Sequence, residues 1–190
     1  MKVLCVIDMQ NDFIDGALGT KEAQAIVPKV AETINLMADP DTIILFTQDT
    51  HFEDYMETQE GLNLPVPHCI KGTNGHEIND LVMATYLVNK KRYQNLQDII
   101  PLYNNFIEKP SFGSIALQNM LFDLNTVEPI EEITLMGVCT GICVLSNAML
   151  IKATLPETLV NVMAECCACV TPESHNTALE AMELCQIKVI

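Results

Sequence analysis

Three side chains of this sequence have the types needed to act together on a carbonyl carbon. Cys143 stands in Gly137-Val138-Cys139-Thr140-Gly141-Ile142-Cys143-Val144, where a β-branched run gives way to helical periodicity and Thr140 reads as the helix N-cap. A cysteine in a first helical turn lies at the positive end of the helix dipole among free backbone N–H groups. Both favour a thiolate, and the same N–H groups can hold an oxyanion on an attacked carbonyl. Asp8 closes an apolar run in Ile7-Asp8-Met9-Gln10-Asn11-Asp12-Phe13 and is placed to accept the thiol proton, whereas Asp12 reads as a loop cap. Lys109 closes Phe106-Ile107-Glu108-Lys109-Pro110. An ammonium aimed into the same pocket would stabilise the thiolate and the later negative charge on a substrate.

A second constellation has the types of a metal site. Gln48-Asp49-Thr50-His51 puts a carboxylate and an imidazole two residues apart just past a strand, and His68 follows in Pro65-Val66-Pro67-His68-Cys69. Two imidazoles and a carboxylate are a minimal open site for a divalent ion, leaving positions for water or a substrate nitrogen. Such a donor set suits zinc, iron or manganese alike. Phe13 can supply one face for a substrate ring.

These groups need a scaffold that brings them to one place. Short β-branched runs at Val3–Ile7, Thr42–Thr47, Asn105–Glu108, Ile133–Val138, Leu159–Met163 and Ile187–Ile190 alternate with helical periodicity over Lys21–Met37, Ser114–Phe122, Ile142–Thr154 and Pro172–Leu184. Runs apolar at consecutive positions are what a sheet covered on both faces requires. The reading is a three-layer α/β fold with about six parallel strands in a single domain spanning residues 1–190. In such sheets ligands bind outside the carboxyl ends of the strands, where Asp8, Asp49, Lys109 and the Gly137–Cys143 turn all fall. Glu53–Pro67, polar and without either period, reads as a long loop over the site. Asn79–Tyr103 reads as one unusually long helical stretch.

Composition narrows the remaining possibilities. Ten Lys+Arg against 25 Asp+Glu leave a net charge of −15, the wrong sign for binding nucleic acid or anionic lipid. The only basic run, Lys90-Lys91-Arg92, reads as a solvated helix end. The apolar run before Asp8 is too short for a signal peptide and no stretch is long enough to span a membrane, so the expectation is a soluble, cytoplasmic protein with reduced thiols. Cys166, Cys167 and Cys169 lack the partner pair of a tetrahedral zinc site and read as buried thiols. His76 and His175 fall at helix starts, where a local hydrogen bond accounts for each. No Gly-x-Gly-x-x-Gly follows the first strand, so no dinucleotide is expected.

Taken in order, Asp8-Met9-Gln10-Asn11-Asp12-Phe13, the Lys109 strand end and Gly-x-x-Thr-x-x-Cys-Val at 137–144 resemble the isochorismatase-like cysteine hydrolases, the superfamily of nicotinamidases and related amidohydrolases. The resemblance spans essentially the whole chain. It continues through Glu165–Cys169 and then His175, Ala178 and Leu179. It implies a Rossmann-like sheet, an Asp8, Lys109, Cys143 triad, and a cis peptide at Val138-Cys139 that turns the Cys139 amide toward the oxyanion. It implies that Asp49, His51 and His68 hold a metal that seats a pyridine nitrogen, and that a small carboxamide, nicotinamide first, is hydrolysed with release of ammonia. A homo-oligomer is expected. The rival readings are hydrolysis of another small amide or carbamoyl compound, or a non-catalytic small-molecule binding protein. Two positions depart from the nicotinamidase pattern: there is no Trp, its usual segment reading Leu64-Pro65-Val66-Pro67, and Gly141 stands where an Asp is common.

Overall fold

The computed structural model describes residues 1–190. In chain order the elements are β1 (Lys2–Ile7), α1 (Asn11–Ile14), α2 (Lys21–Leu36), β2 (Thr42–Asp49), α3 (Gln59–Asn63), α4 (Asp80–Asn89), α5 (Leu96–Ile99), β3 (Phe106–Lys109), α6 (Ile115–Val127), β4 (Glu132–Val138), α7 (Leu145–Thr154), β5 (Leu159–Ala168), α8 (Pro172–Leu184) and β6 (Lys188–Val189). The six strands form one sheet in the order β3-β2-β1-β4-β5-β6, every pair parallel. The three-layer α/β expectation holds.

Burial explains the strand patterns. β1 is buried at every position after Lys2, as a central strand covered on both faces must be. α2 shows the one-sided pattern of a surface helix: Ala23, Ile26, Val27, Val30 and Ile34 are buried, and Thr20 caps its start by accepting from Ala23 N–H. α2 packs on β4 and β5 and against α4, while α6, α7 and α8 follow one another in a second helical layer.

Strand order sets the place of the site. The sheet runs outward in one direction from β1 to β3 and in the other from β4 to β6, so the chain reverses between β1 and β4, and a crevice opens at their carboxyl ends. Asp8 leaves β1 there in a left-handed backbone conformation, φ 47°. Gly137 lies opposite Ile7 at φ 124°, and a Cβ on it would stand 2.0 Å from the Ile7 carbonyl oxygen. Only glycine lets β4 approach β1 this closely at the mouth of the crevice.

Two stretches differ from their sequence reading. Asn79–Tyr103 is not one helix: α4 ends at Asn89, a 3₁₀ turn covers Lys90–Arg92, and the chain then runs extended so that Gln94 N–H donates to Thr42 O beside β2. Main-chain pairing with the sheet wins over continued helix. Glu53–Pro67 is not structureless, since it holds a 3₁₀ turn at Tyr55–Glu57 and the short α3, closed by Thr58 capping Gly61 N–H.

Candidate active site

Four strand ends bring the chemistry-bearing residues together. Lys109, at the end of β3, is the hub: its Nζ lies 2.7 Å from Asp8 Oδ2, 3.3 Å from Asp49 Oδ1 and 3.6 Å from Cys143 Sγ, and it donates to Ser111 O at 3.0 Å. The Lys109 and Asp8 side chains are fully buried. Asp8 is oriented by Thr47, whose hydroxyl donates to its Oδ1 at 2.6 Å, while Oδ2 has no partner beyond the ammonium. Burial pushes the Asp8 carboxyl above its ordinary value, more than the Lys109 charge pulls it down. Burial works against the Lys109 ammonium, but the charges of Asp8, Cys143 and Asp49 outweigh it and raise its pKa, so it stays protonated.

Cys143 departs from the expected setting. Thr140 is not a side-chain N-cap; residues Thr140–Val144 form a π-turn before α7, and the Thr140 hydroxyl is taken by His175 Nδ1 of α8 at 2.8 Å. The thiol is buried, and burial followed by the Asp8 charge pushes its pKa well up. Its resting form is therefore the thiol rather than the thiolate that an exposed helix start would favour, and a base must take the proton. Val138-Cys139 is a cis peptide, and the Cys139 N–H makes no hydrogen bond within the chain.

The metal-type residues also converge, with one addition. His51 Nε2 and His68 Nε2 lie 3.0 and 3.4 Å from Asp49 Oδ2, and 3.7 and 3.6 Å from Oε1 of Glu60 on α3. The four ligand atoms all lie within 4.8 Å of one another. His68 Nδ1 faces Val66 O at 2.9 Å, which fixes the ring with Nε2 toward the cluster. Burial pushes the Asp49 carboxyl up, but hydrogen bonds from His51 and His68 and the Lys109 charge hold it well below the carboxylate range. Burial and the Asp49 charge raise the Glu60 carboxyl. Two carboxylates turned on one point with two imidazoles fit a divalent cation.

Both groups open on one cavity of about 350 Å³, lined by Phe13, Leu64, Phe112, Ile142 and Cys169 together with Asp49, Glu60, His68, Val138, Cys139 and Cys143. Phe13 packs on the His68 ring with centroids 5.4 Å apart. Leu64 stands on the wall in the segment where the resemblance leads one to look for Trp. A Cβ at Gly141 would meet Cys169 Sγ and Ala178 Cβ at 3.4 Å, so Cys169 fills part of the space a larger residue would use. All nine site residues named from the sequence lie in or directly behind this cavity.

Several supporting residues were not legible. Glu60 sits among six other Asp and Glu residues between positions 49 and 80, and only the fold of α3 singles it out. The Gln10 side chain bridges to β2, donating to Asp49 O at 2.9 Å and accepting from Asp49 N–H at 2.7 Å. Asn147 Nδ2 donates to Cys143 O at 2.8 Å and to Phe112 O at 3.2 Å, and its Oδ1 accepts from Ser114 N–H. Asp12 is the loop cap expected and also accepts from Cys69 N–H. The hydrogen bonds of His76, to the Thr50 hydroxyl, and of His175 are tertiary rather than local. All eight cysteines are free, and Cys166, Cys167 and Cys169 are buried as expected. No helix is long and apolar enough to cross a membrane.

A thiol beside a base and a fixed cation, in the crevice of a parallel α/β sheet, is the equipment of a nucleophilic hydrolase. The chain belongs to the isochorismatase family: the model of the isochorismatase domain matches residues 2–190. It is 28% identical over 183 residues to the nicotinamidase of Saccharomyces cerevisiae, with 78% of this chain and 80% of that protein covered. Among solved structures, the pyrazinamidase/nicotinamidase of Streptococcus mutans superposes with a TM-score of 0.81 at 26% identity, each chain covered in full. The pyrazinamidase of Pyrococcus horikoshii in complex with zinc superposes with a TM-score of 0.73 at 24% identity, covering 100% of this chain and 98% of that one.

Proposed function

We propose that the protein hydrolyses nicotinamide to nicotinate through a thioester on Cys143. That it is an amidohydrolase acting on carbon–nitrogen bonds follows from its family and its nicotinamidase relatives. The observation that carries the mechanism is the contact of one buried ammonium with both Asp8 and Cys143. Asp8, whose Oδ2 is partnered only by the Lys109 ammonium, takes the Cys143 proton as sulfur attacks the carboxamide carbon. Lys109 holds the thiolate, and the Cys139 N–H is free to receive the oxyanion. Collapse of the tetrahedral adduct breaks the C–N bond, Asp8 returns the proton to nitrogen, and ammonia leaves. A water then attacks the thioester with Asp8 again as base, giving the carboxylic acid and restoring the thiol.

A divalent ion held by Asp49, His51, Glu60 and His68, with zinc suited to this donor set, would provide a Lewis-acid seat for a pyridine nitrogen. Phe13 and Leu64 would then flank the ring, and the apolar wall would keep bulk water from the thioester. Nicotinamide should release ammonia and benzamide, lacking the ring nitrogen, should be much poorer. With an aliphatic residue in place of the aromatic wall, ring binding should weaken KM more than kcat. Ammonia release by zinc-loaded protein across a panel of small amides tests this. Turnover of an aliphatic amide or carbamoyl compound with none of nicotinamide would overturn the substrate, and no ammonia from any amide would overturn the mechanism.

A further inference from the structure

The cavity over Cys143 is larger than the proposed substrate needs. Its volume of about 350 Å³ is in the range that encloses drug-sized ligands, whereas nicotinamide has only nine non-hydrogen atoms. Strand order gives its direction. Asp49 stands at the end of β2 and Cys143 just past β4, two strand positions away, roughly 10 Å at the spacing of adjacent strands. A ring nitrogen toward Asp49 and His68 and a carboxamide carbon over the Cys143 sulfur span that stretch. The cavity continues one strand further. Val138 and Ala168 are paired across β4 and β5, so the lining passes from Cys139 to Cys169 at the next residue of each strand. Val170 follows, and Leu18, Thr20 and Ala23 join the lining from the approach and first turn of α2, the helix that packs on β4 and β5.

This end of the cavity holds no charged side chain. The Thr20 hydroxyl is engaged in capping α2, where it accepts from Ala23 N–H, and the Cys139 and Cys169 thiols act as small apolar groups. Beyond its scissile carbon a carboxamide carries only its oxygen, which the Cys139 N–H is free to receive, and its nitrogen. We infer that the β5 end is a leaving-group subsite for a small alkyl substituent on the amide nitrogen, so that the protein also hydrolyses secondary carboxamides. The inference rests on the proposed seating of nicotinamide. Attack by the Cys143 sulfur and rupture of the C–N bond give the same acyl thioester. Asp8 returns the thiol proton to nitrogen, and a primary alkylamine leaves in place of ammonia. Water then releases the carboxylic acid and restores the thiol.

Metal-loaded enzyme assayed for ammonia from nicotinamide and ethylamine from N-ethylnicotinamide tests the subsite, together with calorimetric titration of Cys143→Ala protein with both amides. Ethylamine should be released, and Cys143→Ala protein should bind N-ethylnicotinamide about tenfold more tightly than nicotinamide, because two further carbons are buried. N-(carboxymethyl)nicotinamide, which puts a carboxylate among apolar groups, should bind more weakly than either. Val170 is 59% exposed and can be enlarged without disturbing the core. Val170→Phe should lower kcat/KM for N-ethylnicotinamide about tenfold more than for nicotinamide. If nicotinamide is not hydrolysed, the fastest primary amide of the panel and its N-ethyl derivative replace the pair, which keeps failure of the substrate apart from failure of the subsite. No ethylamine from enzyme that hydrolyses the primary amide, weaker binding of the N-ethyl compound than of the primary amide, or equal losses on both substrates in Val170→Phe would each overturn the inference.

Discussion

Replacing Asp8 by Asn separates the two roles its carboxylate holds. The Lys109 ammonium and the Asp8 carboxylate are both fully buried and 2.7 Å apart, so Asp8→Asn removes the nearer of two negative charges from a cation that cannot reach water. Breaking one side of a buried ion pair costs about 3–5 kcal/mol. Asp49 at 3.3 Å and the Ser111 carbonyl at 3.0 Å remain, which places the cost near the lower end. In a chain of this length each kcal/mol moves Tm by about 2–4 °C, so the variant should melt roughly 6–12 °C below wild type. Loss of the base should lower turnover by about 10²–10⁴-fold. The double variant Asp8→Asn, Lys109→Met removes both charges at similar volume, so it should regain most of the lost stability and none of the activity. Scanning calorimetry and ammonia release on metal-loaded samples read both quantities. A double variant melting below Asp8→Asn would refute the ion-pair reasoning, and turnover in Asp8→Asn above a few per cent of wild type would refute the role of the base.

Cys143→Ala should abolish ammonia release and leave the far-ultraviolet circular dichroism unchanged, because the side chain borders a cavity, whereas Cys166→Ala, packed beside Thr33 away from that cavity, should keep near-wild-type activity. Purified protein should carry close to one equivalent of divalent metal by elemental analysis and His68→Ala should lose it; an unchanged content would return the four residues to ordinary polar packing. Asn147→Ala deletes three hydrogen bonds, one of them to the Cys143 carbonyl, and should lower kcat by an order of magnitude or more at little change in KM, with about 2–3 kcal/mol lost in urea unfolding.

Local rules carry a long way in this chain. Consecutive apolar residues in β1, the one-sided stripe of α2 and the Thr171-Pro172 start of α8 are decided by burial on two faces, burial on one face and capping, all legible within a few residues. Because ligands of parallel sheets gather at strand ends, Asp8, Asp49, Lys109 and Cys143 could be named together before any distance was known. Tertiary structure alone decided three things. It decided that Cys143 rests as a thiol, since burial and the charge of a residue 135 positions away set its proton affinity. It brought Glu60 to the two histidines, because a short helix in an aperiodic loop can be aimed only by what it packs on. It broke the Asn79–Tyr103 stretch, where a main-chain bond from Gln94 to Thr42 outcompetes helix. Each depends on contacts between residues far apart in sequence, and the energies of such contacts have no local signature.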